Sequence, residues 1–345
     1  MQVTTIGLDI AKRVFQAHGV DEGDRAVLRR KLQRAEVLTF FRGLPPCLVG
    51  IEACGTAHHW ARQIGALGHE VRLMPASYVK AYVKRGKTDA ADAEAICEAV
   101  TRPTMRFVPI KTPEQQAVLM LHRTRDLLVR QRTMLVNALR SHMAELGIIA
   151  PQGISRVADL VAVLLGEDEK AMPMLARQVL QGLAAELETL GERIEAIEAA
   201  ILTWHKGNEA SRRLATIPGI GPITASAIVA SITNPTQFRT GRHLAAWIGL
   251  VPKQNSSGGK ERQGGISKQG DRTLRRLLVL GATAVMRHAR AKSATEATWL
   301  KGLLDRRPAK LVAVVQANKT ARIVWALLTW GGTYRAPVAA QAVAP

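Results

Sequence analysis

Four carboxylates stand out by their surroundings. Asp9 lies inside an apolar, strand-like run (Gly7-Leu8-Asp9-Ile10), and Glu52 closes a second one (Leu48-Val49-Gly50-Ile51-Glu52). A carboxylate among apolar strand residues is costly unless it is paired or ligates a cation. Asp89 and Asp92 lie in Thr88-Asp89-Ala90-Ala91-Asp92, where a spacing of three puts both on one helix face. Two like charges so placed repel unless a cation sits between them. An all-oxygen, sulfur-free donor set favours Mg²⁺ or Mn²⁺ over zinc. Two such ions can activate a nucleophile and steady the leaving oxygen of a phosphodiester. Milder explanations exist: Asp89 and Asp92 suit a helix N-terminus, and Glu52 suits a cap before Gly55-Thr56. Acids inside two apolar strands are harder to explain without a function.

A second set of residues lies far downstream. Ile217-Pro218-Gly219-Ile220-Gly221, followed by small and β-branched residues at helical spacing, matches a helix-hairpin-helix. In that reading Gly219 and Gly221 let the backbone approach a phosphate, which N–H groups at the second helix's start then bind. A tight helix–helix turn in a core is the plainer alternative. Beyond it runs Gly249-Leu250-Val251-Pro252-Lys253-Gln254-Asn255-Ser256-Ser257-Gly258-Gly259-Lys260, read as a flexible loop flanked by Lys253, Lys260, Arg262 and Lys268. A serine there can serve as a nucleophile toward phosphorus, although most serines in such loops are solvated turn residues. Asp271 then opens a helix that offers Arg272, Arg275 and Arg276 to phosphates.

The elements that must position the acids are legible in the first hundred residues. Strands are expected at 3–10, 14–20, 26–33, 47–52 and 70–74, with helices at 35–41, 57–67 and from 77 onward. Three neighbouring strands followed by helix–strand–helix is the order of a ribonuclease-H-like α/β fold. In that fold the first and fourth strands are neighbours, so Asp9 and Glu52 meet. Residues 113–147 form one long helical pattern with leucines on one face and arginines crowding the rest, either a solvated face or one turned to nucleic acid. Leu180, Leu183, Leu187, Leu190, Ile194, Ile197 and Ile201 alternate spacings of three and four. That heptad predicts a coiled coil, within or between chains, or ordinary packing in a helical hairpin. Residues 151–153 and 166–170 read as connections.

The 345 residues suggest two or three domains: a catalytic α/β domain over 1–110, a helical region over 111–207, a mostly helical domain over 208–330, and a disordered Ala/Pro-rich tail over 331–345. The net charge is +20, large enough to imply a polyanionic partner. It is concentrated late: residues 208–345 hold 21 Lys and Arg against 5 Asp and Glu. A ribosomal or chromatin protein has the same excess, so charge alone does not select an enzyme. Three cysteines without a CxxC pair argue against a zinc ribbon or disulfide framework. No signal peptide is evident, and no apolar stretch is expected to span a membrane. A cytoplasmic, nucleoid-associated protein is expected.

The motifs GLDIAK, GIEACGT, KTDAADA, IPGIG and GLVPKQNSSGG, in this order across residues 1–290, resemble the DEDD-type transposases of the insertion sequence 110 family. The resemblance implies a RuvC-like domain, a helical coiled-coil region and a C-terminal transposase domain. It implies that Asp9, Glu52, Asp89 and Asp92 form the family's acidic tetrad. It also implies that Ser257, which precedes a glycine, is the nucleophile, with Ser256 a close rival. Recombination through a transient phosphoserine link, a structured guide RNA pairing with donor and target DNA, and assembly as dimers or tetramers follow from the same likeness. Two other readings are a RuvC-like, structure-selective nuclease that needs no serine, and a non-catalytic nucleic-acid-binding protein with structural acids.

Overall fold

The β-branched N-terminal run forms β1 (Thr5–Ile10), which turns into β2 (Val14–Val20) and then β3 (Ala26–Gln33). Helix α1 (Val37–Arg42) leads to β4 (Leu48–Glu52), α2 (Ala57–Gly65), β5 (Glu70–Met74), the short α3 (Ala76–Val79) and α4 (Asp89–Val100). The computed structural model describes residues 2–84, 86, 88–149, 162, 172–260, 262–291 and 299–336. The connections expected at 151–153 and 166–170, and residues 337–345 of the tail, lie outside these residues. The sheet order is β3-β2-β1-β4-β5. Strands β1 to β3 run antiparallel, whereas β4 is parallel to β1 and β5 to β4. This is the mixed α/β sheet expected from the sequence, with the first and fourth strands adjacent.

Both faces of β1 are covered. Ile6 and Leu8 pack with Phe15, Leu32, Val49 and Ile51 against Val37 and Phe41 of α1 and Trp60 and Ile64 of α2. Burying each such side chain contributes about 1.5–3 kcal/mol. Gly7 and Asp9 alternate to the opposite face, which belongs to α4.

The chain divides into two compact units, residues 1–113 and 114–345. In the second, α5 (Pro113–Glu145) and α6 (Met174–Gly207) lie antiparallel. Val136, Leu139 and Met143 pack on Leu180, Ala184 and Leu187, and Leu128 packs on Leu190 and Ile194. The heptad seam is thus filled within the chain, by a helical hairpin. An Arg125–Glu198 ion pair at 2.6 Å links the two helices.

The rest of the unit is built from α7 (Glu209–Leu214), α8 (Pro222–Ser231), α9 (Gly241–Trp247), the hairpin β6 (Pro252–Gln254) and β7 (Gln263–Ile266), α10 (Arg272–Ala291), α11 (Trp299–Arg306) and α12 (Ala309–Trp330). Helix α12 corrects the expectation that no stretch has the length of a membrane span: by length and composition alone it does. Its buried side, including Val312, Ala317, Ala321 and Val324, belongs to the core of this unit. The residues read as a flexible loop also need correcting, because Pro252–Ile266 forms a two-stranded hairpin.

Candidate active site

Strands β1 and β4 pair in register, with Gly7 opposite Gly50 and Leu8 opposite Ile51. Asp9 and Glu52 therefore follow on the next rung, at the carboxyl ends of both strands. Each shares a sheet face with the glycine two residues before it. That face is covered by α4 at unusually close range. A Cβ on Gly7 would stand 2.1 Å from the Ala93 carbonyl oxygen and 2.3 Å from the Cys97 nitrogen. A Cβ on Gly50 would stand 2.8 Å from Val100 Cβ. At Gly7 the helix thus rests on the sheet almost backbone to backbone, and at Gly50 on the side chain of Val100. Asp89 and Asp92 occupy its first turn, just before Ala93, and this end of α4 reaches the carboxyl ends of the strands.

The electrostatics register the convergence. Asp9 is pushed from the ordinary aspartate value of 3.8 up to about 6, first by burial and then by repulsion from Asp92, Asp89 and Glu52. A backbone hydrogen bond at Ile10 opposes this only in part. Glu94, one turn further along α4, behaves oppositely: Lys84 lies 2.6 Å away and holds its carboxyl below the usual range. No cation among the described residues offsets the charge on Asp9. Thr88 already caps α4, its hydroxyl accepting from the Ala91 N–H at 3.2 Å, so Asp89 and Asp92 are not needed as caps. The donor set is hard, anionic oxygen, the chemistry that suits a hard divalent cation. Among the described residues, no three acidic, histidine or cysteine side chains are already gathered at ligating distance.

Ser257 lies at the tip of the β6–β7 hairpin. Its carbonyl accepts from the Lys260 N–H at 3.1 Å, which closes a two-residue turn. Gly258 and Gly259 take φ of 57° and 76°; positive values at both central positions define the type I′ turn that suits a hairpin's twist. The neighbouring serine is engaged otherwise, since Ser256 Oγ accepts from the Arg262 N–H at 3.4 Å. Ser257 Oγ has no hydrogen-bond partner among the described residues, and the residue is exposed.

Residues 6–148 match a DEDD-type transposase family named for IS110, and residues 211–297 match the Transposase IS116/IS110/IS902 family. A probable family 20 transposase of Pseudomonas aeruginosa is 51% identical over 336 residues, covering 97% of this chain and 99% of the relative. The transposase for insertion sequence element IS1328 of Yersinia enterocolitica is 41% identical, covering 96% and 98%. That for IS1111A of Coxiella burnetii is also 41% identical, covering 96% and 92%. The chain belongs to the IS110 family of transposases. It is an enzyme of DNA recombination.

The basic residues of this transposase sort into two groups. Lys253, Lys260, Arg262, Lys268 and Arg272 are exposed or half-buried around the hairpin and the start of α10. Arg275, expected to reach a phosphate, also serves the fold: its Nη1 donates to the Ile248 carbonyl at 2.8 Å and the Gln269 carbonyl at 2.7 Å. Arg276 pairs with Asp126. Asp271 accepts from the Thr273 and Leu274 N–H groups at 2.8 and 3.0 Å and so begins α10.

The two glycines of the α7–α8 turn also differ. Gly219 has φ of 84°, and a Cβ there would meet the Gly281 carbonyl oxygen of α10 at 2.6 Å, so its small size serves helix packing. Gly221 precedes α8 in open space. The positioning residues that sequence reasoning overlooked are Gly7 and Gly50. The signal was present, as a glycine two residues before each strand acid.

Proposed function

We propose that this transposase cuts and rejoins DNA by a serine-dependent transesterification assisted by the carboxylate cluster. The Ser257 hydroxyl oxygen bonds to phosphorus, one bridging P–O bond breaks, and the departing strand oxygen takes up a proton. Attack by a second strand's hydroxyl on the phosphoserine reverses this balance and restores Ser257. Asp9, Glu52, Asp89 and Asp92 would hold Mg²⁺ or Mn²⁺, whose charge stabilises the oxygens of a phosphodiester. The placement of Asp9 and Glu52 on one rung, under the helix whose first turn holds Asp89 and Asp92, carries this reading, together with the repulsion that Asp9 feels from the other three acids. The choice of Ser257 over Ser256 is supported by the hydrogen bond that engages Ser256.

Lys253, Lys260, Arg262, Lys268 and Arg272 would bind phosphates, and Gly221 would offer the start of α8 to one. Donor and target DNA and a structured guide RNA are the partners this reading assigns to them. Assembly as dimers or tetramers is supported by Met120, Leu127 and Met134, exposed by 63%, 47% and 70% at seven-residue spacing on α5. An incubation with DNA and Mg²⁺, followed by denaturing electrophoresis, tests the chemistry. A covalent protein–DNA adduct is expected from the wild type and from Ser256→Ala, and none from Ser257→Ala or Asp9→Ala. Strand cleavage that persists in Ser257→Ala without an adduct would replace this reading with metal-dependent hydrolysis by the acids alone.

A further inference from the structure

A cavity of about 960 Å³ opens beside the serine hairpin, within the second unit. One wall is the base of the hairpin itself, Pro252 and Gly264 to Ile266; the others come from α9, α11 and α12. Three tryptophans line it. Trp325 is fixed by its indole N–H, which donates to the Phe238 carbonyl at 2.9 Å, and Trp330 meets it edge to face at 5.0 Å. Trp299, the first residue of α11, is 49% exposed. Lys319 holds its ammonium 4.2 Å from the centre of that ring.

The rim is cationic. Arg242, Lys319 and Arg322 all line the cavity, and none has an acidic partner among the described residues. Gly241 brings the start of α9 onto the backbone of α12, where a Cβ would lie 2.9 Å from Arg322 Cα, so Arg242 and Arg322 line the cavity from closely packed helices. Gly265 has nothing within 4 Å of where a Cβ would be, which leaves the hairpin wall bare. Aromatic faces inside and unpaired cations at the rim complement a ligand that is planar at one end and anionic at the other. A nucleotide has this form.

We propose that this cavity receives an unpaired nucleobase of the strand whose phosphate approaches Ser257, with Trp299 as the stacking surface and Arg242 and Arg322 on the flanking phosphates. The inference rests on the serine reading for its ligand class and extends it. Pro252 in the cavity wall and Ser257 at the hairpin tip are five residues apart, about 16 Å along a strand. That distance spans only a few nucleotides of a single strand. The strand would therefore be held a fixed number of nucleotides from the bond it breaks.

The test uses the full chain and single-stranded DNA and RNA oligonucleotides of one sequence, with an abasic residue moved along them one position at a time. Binding by the wild type should fall about tenfold when the abasic site occupies one position or an adjacent pair, the loss of a single base stack. Trp299→Ala should weaken the intact oligonucleotide to the same degree and abolish the positional dependence. Trp299→Phe should restore most of the affinity, and binding of blunt duplex should be unchanged in both variants. The positional profile is expected with the DNA oligonucleotide, and a profile seen with RNA alone would overturn the assignment to the attacked strand. A flat abasic profile in both, or an equal loss of duplex and single-strand binding in Trp299→Ala, would overturn the proposal. Ser257→Ala separates the two readings, since it should retain the full abasic profile while forming no adduct.

Discussion

At the scale of single residues, Asp9 is held in a protonation state that works against folding. Its carboxyl titrates at about 6 in the folded chain against 3.8 ordinarily. Between these values the folded state holds a proton that the unfolded state has released, so stability falls as pH rises through the window. The penalty is absent below about pH 4 and complete above about pH 7. Asp9→Asn should therefore raise the melting temperature at pH 7.5 by roughly 3–8 °C, with the gain vanishing below about pH 4. Adding Mg²⁺ should raise the wild-type midpoint and leave that of Asp9→Asn nearly unmoved; melting curves over pH and Mg²⁺ concentration check both. The sequence revealed the acids because a charged residue interrupts an apolar strand pattern. It could not reveal that Arg275 serves two backbone carbonyls, because a structural arginine and a phosphate-binding one look alike until the loop at Gln269 is folded against it.

At the scale of elements, the site depends on how closely α4 lies on the sheet. Gly7→Ala places a methyl carbon against backbone atoms of Ala93 and Cys97 that cannot move independently. The helix must lift, carrying Asp89 and Asp92 away from Asp9. Overpacking of this kind costs about 1–3 kcal/mol, and Mg²⁺-dependent stabilisation should disappear with it. Gly182 offers a control, since it lies within α6 with no atom within 4 Å of the place an alanine methyl would take. Gly182→Ala should stabilise the chain by about 0.5–1 kcal/mol. Chemical denaturation of the two variants with and without Mg²⁺ separates the effects. The strands were legible because their alternation and β-branched content match a half-buried sheet. The serine hairpin was not, because its Gly/Ser-rich sequence lacks apolar alternation and its order comes from a tight turn at Gly258 and Gly259.

At the scale of the molecule, charge and apolar surface are distributed unequally. Residues 1–113 carry 17 Lys and Arg against 11 Asp and Glu, whereas residues 114–345 carry 31 against 17. The acids that would take a cation thus lie in the less basic unit, and the serine hairpin lies in the more basic one. The heptad seam of α6 is filled by α5, and Met120, Leu127 and Met134 of α5 stay exposed, the stripe proposed above for assembly. A Met120→Glu/Met134→Glu variant should remain folded by circular dichroism and show a smaller molar mass by light scattering. Unchanged mass would place the assembly surface elsewhere.

The contact of α4 with Gly7 and Gly50 has a consequence for how such a chain can diverge. The gap between helix and sheet at Gly7 is set by main-chain atoms, which every sequence shares. Hydrophobic residues elsewhere in the core can exchange size and shape over generations while the distance between the acids stays put. The absent side chain of Gly7 acts as a spacer that drift cannot alter, short of replacing the glycine itself.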